Sequence, residues 1–153
     1  MDFLLEAIEL GRRGMSAGDG GPFGAVVVVG AQVVGRGWNQ VLKTNDPTAH
    51  AEVVAIRDAT SRLGRFALAD AEIYASCEPC PMCLGAIHWA RIPTLVYASG
   101  REDAAAAGFS DADFYRELAL PPEKRILVAR REERAEARAL FAEWARLDSR
   151  RLY

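Results

Sequence analysis

No apolar run in the 153 residues approaches the roughly 20 that a membrane-spanning helix needs; the longest candidate, Ala25–Val29, is strand-sized. The N-terminus, Met1-Asp2-Phe3, lacks the charged and apolar regions of a secretory signal, which makes the cytoplasm the expected location. No Ser- or Gly-rich linker, internal repeat or low-complexity tract divides the chain. Its length therefore points to one domain with a real core. Cysteine is scarce and crowded: all three, Cys77, Cys80 and Cys83, lie within seven residues. An odd, clustered set is a poor disulfide framework, so metal binding or catalysis is the first thought. There is no G-x-x-x-x-G-K, G-x-S-x-G or H-E-x-x-H, and phosphate-loop, hydrolase-elbow and metalloprotease chemistry lose their signatures.

Charge of one sign is also missing. Nineteen basic residues meet 21 acidic ones, net −2, which argues against a surface built wholly for nucleic acid. The balance hides a division, however. Lys124–Tyr153 holds nine Lys/Arg and five Asp/Glu, a net +4, which leaves −6 on residues 1–123. A basic C-terminal segment suits an RNA footprint or a solvated helix face.

The periodicity predicts a helix over residues 2–17, ended by the glycines at 18–21. Ala25–Val29 and Gln32–Gly37 flank a Gly30-Ala31 turn and read as a hairpin. Asp46-Pro47-Thr48 reads as a helix start, with Ala49–Leu63 continuing the helix. A strand at Glu72–Ser76, a helix at Cys80–Ala90 and a strand at Thr94–Ala98 follow, then helices at Asp111–Leu118 and Arg134–Leu147. A hairpin followed by alternating helices and strands is the pattern of a layered α/β domain with a mixed sheet. In the last helix Ala137, Leu140, Phe141, Trp144 and Leu147 form an apolar stripe, suited to core packing or to docking on another subunit.

The chemistry concentrates in His50-Ala51-Glu52 and Pro79-Cys80-Pro81-Met82-Cys83, each at a predicted helix start. An imidazole and two thiolates suit zinc, and a C-x-x-C turn at a helix N-terminus lets both sulfurs converge where first-turn N–H groups stabilise thiolate. Residues two apart on a helix point about 200° apart, so His50 and Glu52 share a site only at the helix end. Glu52 then fits a proton carrier beside an open metal site with a water in the fourth position. A closed His50-Cys77-Cys80-Cys83 structural site is the alternative. It leaves Glu52 and the prolines unexplained, and Cys77 reads better as a buried thiol. His88, five residues after Cys83 and about 140° round the helix, reads as structural or surface.

These residues resemble the H-x-E…P-C-x-x-C signature of the zinc-dependent cytidine and deoxycytidylate deaminase superfamily. Gly20–Ala25, Asn45–Glu52, Ser76–Ile87, Ala107–Asp111 and an aromatic C-terminal residue resemble, within it, the bacterial guanine deaminase family. The resemblance implies a three-layer α-β-α fold on a central mixed five-stranded sheet and one Zn2+ per subunit, held by His50, Cys80 and Cys83. It implies hydrolytic deamination of a free purine base, most directly guanine to xanthine and ammonia, with Glu52 shuttling protons. The Ala51 and Cys80 N–H groups become candidates to steady the tetrahedral centre. Asn39, Asp111, Phe23 and Trp89 are similar to the residues that hold and wall the base. By the same resemblance the chain is a homodimer in which residues 134–153 are exchanged, and Tyr153 from the other chain closes the site. Nucleic acid and membrane are not expected partners. The nearest rival, a tRNA adenosine deaminase, shares Asp46–Glu52 and Ile87-His88; guanosine, cytosine and aminotriazine deaminases are further alternatives.

Overall fold

The run Gly24–Val29 (β1) forms the middle of the protein because both of its faces are covered. The computed structural model describes residues 1–153 as two units, Met1–Ala112 and Asp113–Tyr153. In the first unit β1 pairs antiparallel with Gln32–Trp38 (β2) and with Ala71–Cys77 (β3), and β3 pairs parallel with Thr94–Ser99 (β4). The order β2-β1-β3-β4 makes a mixed four-stranded sheet. Val26 and Val28 point to one face, where they pack with Leu10 of Phe3–Ser16 (α1) and with Phe3, Trp38 and Tyr74. Ala25 and Val27 point to the other, among Ala51, Ala55 and Ala59 of Ala51–Leu63 (α3) and Ile87 of Pro81–Trp89 (α4). Helix, sheet and helix are the three expected layers. A strand covered on both sides has no need of polar alternation, hence the unbroken valines.

Local chemistry explains most boundaries. Asp2 caps α1, accepting from the Leu5 N–H at 3.0 Å. Gly30 and Ala31, with φ of 53° and 65°, form the two-residue turn of the β1–β2 hairpin. β2 takes one extra residue opposite Val27/Val28 as a bulge. Cys80 is the N-cap of α4, and Pro81 fills its first position.

Three expectations are corrected. α3 starts at Ala51 and not near Ala49, because Asp46 closes its own turn: Oδ1 accepts from the Thr48 N–H at 2.8 Å and the Thr48 hydroxyl at 2.7 Å. Two short helices, Val41–Thr44 (α2) and Arg101–Ala106 (α5), occupy stretches with too little apolar periodicity to announce them. The sheet has four strands, not five. Beyond β4 the branched apolar run Ile126–Val128 is three residues long and exposed, and it forms no strand.

The second unit holds most of Ala112–Ala119 (α6), a 3₁₀ turn at Pro122–Lys124 and Ala135–Arg146 (α7). The Ile126 N–H donates to Glu117 at 2.8 Å, and the Arg125 guanidinium donates to the Leu120 carbonyl at 2.8 Å. No residue of α7 is buried, and Leu140, Phe141, Trp144 and Leu147 are all exposed along it. No helix of the chain is long and apolar enough to cross a membrane.

The seat of α3 depends on two glycines of β2. A Cβ on Gly37 would stand 2.1 Å from the Ala51 carbonyl oxygen and 2.4 Å from the Ala55 nitrogen; on Gly35, 2.4 Å from the Ala55 oxygen. All of these are backbone atoms, so the helix itself would have to move. Gly37→Ala is expected to destabilise the fold by about 1–3 kcal/mol, read as a lowered urea midpoint. An unchanged midpoint would show that α3 is not held by this approach.

Candidate metal and base site

α3 and α4 bring their N-termini to one point. His50 is the N-cap of α3, Cys80 is the N-cap of α4, and Cys83 lies in the first turn of α4. His50 Nδ1 is 3.6 Å from Cys80 Sγ and 3.6 Å from Cys83 Sγ, and the three donor atoms all lie within 4.8 Å of one another. A tetrahedral zinc with its usual Zn–N and Zn–S bonds separates N and S donors by about 3.6 Å. Donor type and spacing both fit, and three protein donors leave a fourth position free. Cys77, at the end of β3, is not part of this group. Its Sγ is turned to the Gly100 carbonyl oxygen at 3.5 Å and burial pushes its pKa up, so the closed four-ligand site does not form.

The protons on these groups are coupled. Cys80 is pulled down to about 4, chiefly by a hydrogen bond from the Cys83 thiol and further by His50. Cys83 is pushed up because its proton goes to the Cys80 thiolate, and burial and the Glu52 charge add to this. His50 is raised, first by its hydrogen bond to Cys80. One sulfur is thus drawn towards the thiolate form that a metal ligand takes. Binding a cation there releases the remaining protons.

Glu52 sits in the first turn of α3, 8% exposed, with Oε2 3.3 Å from Cys83 Sγ. Its position at the helix end resolves the 200° separation from His50, since both flank the same N-terminus. Burial is the largest cause of its raised pKa. A carboxyl group displaced upward in this way holds its proton more readily than an exposed one, which suits a group that takes and returns a proton. Ala51, buried, and Cys80 contribute N–H groups from helix ends, which have no acceptor inside their own helices.

The remaining predicted residues are placed unequally. Asn39 is buried at the end of β2; its N–H donates to the Phe23 carbonyl at 2.9 Å, and its Oδ1 accepts from the Val41 N–H at 3.2 Å. Phe23 is half-buried against the core and meets Phe109 edge-on, with ring centroids 5.0 Å apart. Phe109 is a residue that sequence reasoning left without a role, although it lies inside the Ala107–Asp111 stretch. Asp111 is half-buried immediately before α6. Trp89 is 63% exposed at the last position of α4, about 12 Å along the axis from Pro81, at the opposite end from the thiols. Tyr153 is exposed in the second unit, and His88 is exposed on α4.

The family described as the cytidine and deoxycytidylate deaminase zinc-binding region matches residues 1–99. The chain belongs to this deaminase family. Guanine deaminase of Bacillus subtilis is 46% identical over 151 residues, covering 99% of this chain and 97% of that protein. Its crystal structure superposes with a TM-score of 0.95, covering 99% of this chain and 96% of that chain. A guanine deaminase structure from Nitrosomonas europaea is 32% identical, with a TM-score of 0.66 over 71% of this chain and 63% of that one. A tRNA-specific adenosine deaminase of Buchnera aphidicola is 40% identical over 82 residues, 54% of either chain. The family is a zinc-binding one, and the His50, Cys80 and Cys83 group is a potential site for one zinc ion in this chain.

Zinc analysis of the purified deaminase is expected to give one ion per chain, and Cys83→Ala to lose it. Glu52→Gln should keep the ion, because Glu52 is not among the three converging donors. Chelation should lower the thermal midpoint, since metal binding adds to folding stability. Retention of zinc by Cys83→Ala would contradict the assigned ligand set.

Proposed function

We propose that this deaminase hydrolyses guanine to xanthine and ammonia. The carrying observation is the match to guanine deaminase along the whole chain, residues 113–153 included, beside a zinc donor set with a buried carboxyl group at 3.3 Å. The tRNA deaminase relative matches about half the chain, which leaves that reading less supported.

Zinc, which His50, Cys80 and Cys83 would hold, would supply Lewis acidity that makes the attacking water more acidic. Glu52 accepts a proton from the attacking water and returns it to a ring nitrogen beside the carbon that bears the amine. It then takes the second proton from the hydroxyl now on that carbon and delivers it to the amine as the C–N bond breaks. The oxygen stays on carbon and the nitrogen leaves as ammonia, so atoms and protons balance. The Ala51 and Cys80 N–H groups steady the tetrahedral centre. Asn39 hydrogen-bonds the base, Phe23 forms an apolar wall backed by Phe109, and Asp111 faces the polar edge. Trp89 is the second wall in this reading, and its place at the far end of α4 gives it the least support.

The same reading makes the protein a cytoplasmic homodimer that exchanges residues 134–153, with the partner's Tyr153 as a lid. An exposed apolar stripe on α7 calls for a cover, and a −6 body and a +4 tail are complementary in sign.

Ammonia release from guanine, guanosine, adenine, cytosine and tRNA tests the substrate. Guanine is expected to lead, and Glu52→Gln to lower kcat by about 10²–10⁴-fold with zinc retained. Release from tRNA or cytosine but not guanine would overturn the substrate while sparing the chemistry. Deleting residues 150–153 should lower turnover about tenfold or more with zinc still near one per chain, as for loss of a closing segment. Wild-type turnover would remove the lid, and lost zinc would make the tail structural.

A further inference from the structure

The mechanism above leaves one cluster unused: a carboxylate, an indole and an ammonium at the start of the glycine-rich segment between α1 and β1. Asp19 Oδ2 accepts from Trp38 Nε1 at 2.7 Å and from Lys43 Nζ at 3.1 Å. Lys43 Nζ also lies 5.6 Å from the centre of the Trp38 ring. The backbone of Asp19 joins in, its carbonyl accepting from the Leu42 N–H at 3.1 Å and the Lys43 N–H at 3.0 Å. The carboxylate side chain is only 13% exposed, and its pKa is lowered, chiefly by the Trp38 bond and next by Lys43.

The partners of this one residue bracket a single position. Trp38 precedes Asn39 and Leu42 and Lys43 follow it, so Asp19 grips the chain on both sides of the amide read here as the base-binding group. The next residue completes the grip. A Cβ on Gly20 would stand 2.0 Å from Asn39 Oδ1 and 2.8 Å from the Asn39 carbonyl oxygen, so only glycine lets the segment lie this close. Asn39 Oδ1 is seated between Gly20 and the Val41 N–H, so Nδ2 is the amide atom that can donate to an acceptor of the base.

We infer that Asp19 is a positioning residue that, with Gly20, fixes the orientation of the Asn39 amide and so sets the affinity for the base. The inference rests on the assignment of Asn39 to base binding. Asp19 touches neither substrate nor metal in this reading. Its effect reaches the reaction through binding that is equal in the ground and transition states, so KM responds and kcat does not.

The test measures KM, kcat, zinc content and thermal midpoint for Asp19→Ala, Asp19→Asn, Gly20→Ala, Asn39→Ala and the double variant Asp19→Ala/Asn39→Ala. The substrate is whichever member of the panel above releases ammonia fastest. Asp19→Ala is expected to raise KM about fivefold, with kcat within about twofold and zinc near one per chain. Asp19→Asn keeps an acceptor for Trp38 and should recover part of the loss. Gly20→Ala should raise KM in the same way, by crowding the amide oxygen. The double variant should have the KM of Asn39→Ala alone, because the brace has nothing left to orient.

An unchanged KM in Asp19→Ala, a fall in kcat together with zinc, or additive effects in the double variant would overturn the inference. If Asp19→Ala does not fold, Asp19→Asn carries the test: a raised KM supports the inference, and a wild-type KM overturns it. A wild-type KM in Asn39→Ala would overturn the Asn39 assignment itself. A raised KM there beside a normal one in Asp19→Ala would overturn only the brace.

Discussion

Two helix N-termini meeting where one nitrogen stands 3.6 Å from each of two sulfurs is the constraint on which the rest of the site depends. Each helix supplies something the other lacks. α3 brings the imidazole on its cap and a carboxyl group two residues later; α4 brings two thiols one turn apart. Neither end could gather these groups alone. The N–H groups and dipoles of both ends favour negative charge at the same point, which suits thiolate ligands and an oxygen-centred reaction. The scaffold serves that meeting: Gly35 and Gly37 let α3 press on β2, and Ala51, Ala55 and Ala59 give it a smooth contact face.

The same crowding divides labour among groups that titrate together. Cys80 and Cys83 have nearly the same covalent setting, yet one is drawn towards thiolate and the other towards thiol because they share a proton. Glu52 stands against Cys83 with almost no access to water, so its charged form is penalised where no metal stands beside it. A carboxyl group of this kind exchanges protons readily, whereas one held by salt bridges would stay ionised. Apart from this electrostatic centre stands the neutral amide of Asn39, just beyond β2, steadied by hydrogen bonds to its own neighbours.

Much of this was legible along the chain. His50-x-Glu52 and Pro79-Cys80-x-x-Cys83 announce the metal site because ligand spacing within a turn is local geometry. β1 through β4, α1 and α4 followed from hydrophobic period within a residue or two of their ends. The start of α3 was misread because Asp46-Pro47-Thr48 has the composition of a helix start while its hydrogen bonds close a turn instead. The two short helices escaped because four or six residues carry little period. The fifth strand came from likeness to a family, and here Ile126–Val128 is too short and too exposed to supply it.

By itself the sequence determined the donor types and the layered α/β class, since both depend on residues close together in the chain. Tertiary structure alone decided that His50, 30 residues before Cys80, comes within 3.6 Å of it, and that Cys77 stays out. It also paired Phe23 with Phe109, placed Trp89 at the far end of α4 and closed Asp19 around Asn39. The physical reason is the same in every case. A side chain's partners across the sheet are set by strand register and helix seating, and neither is written in the spacing of neighbouring residues.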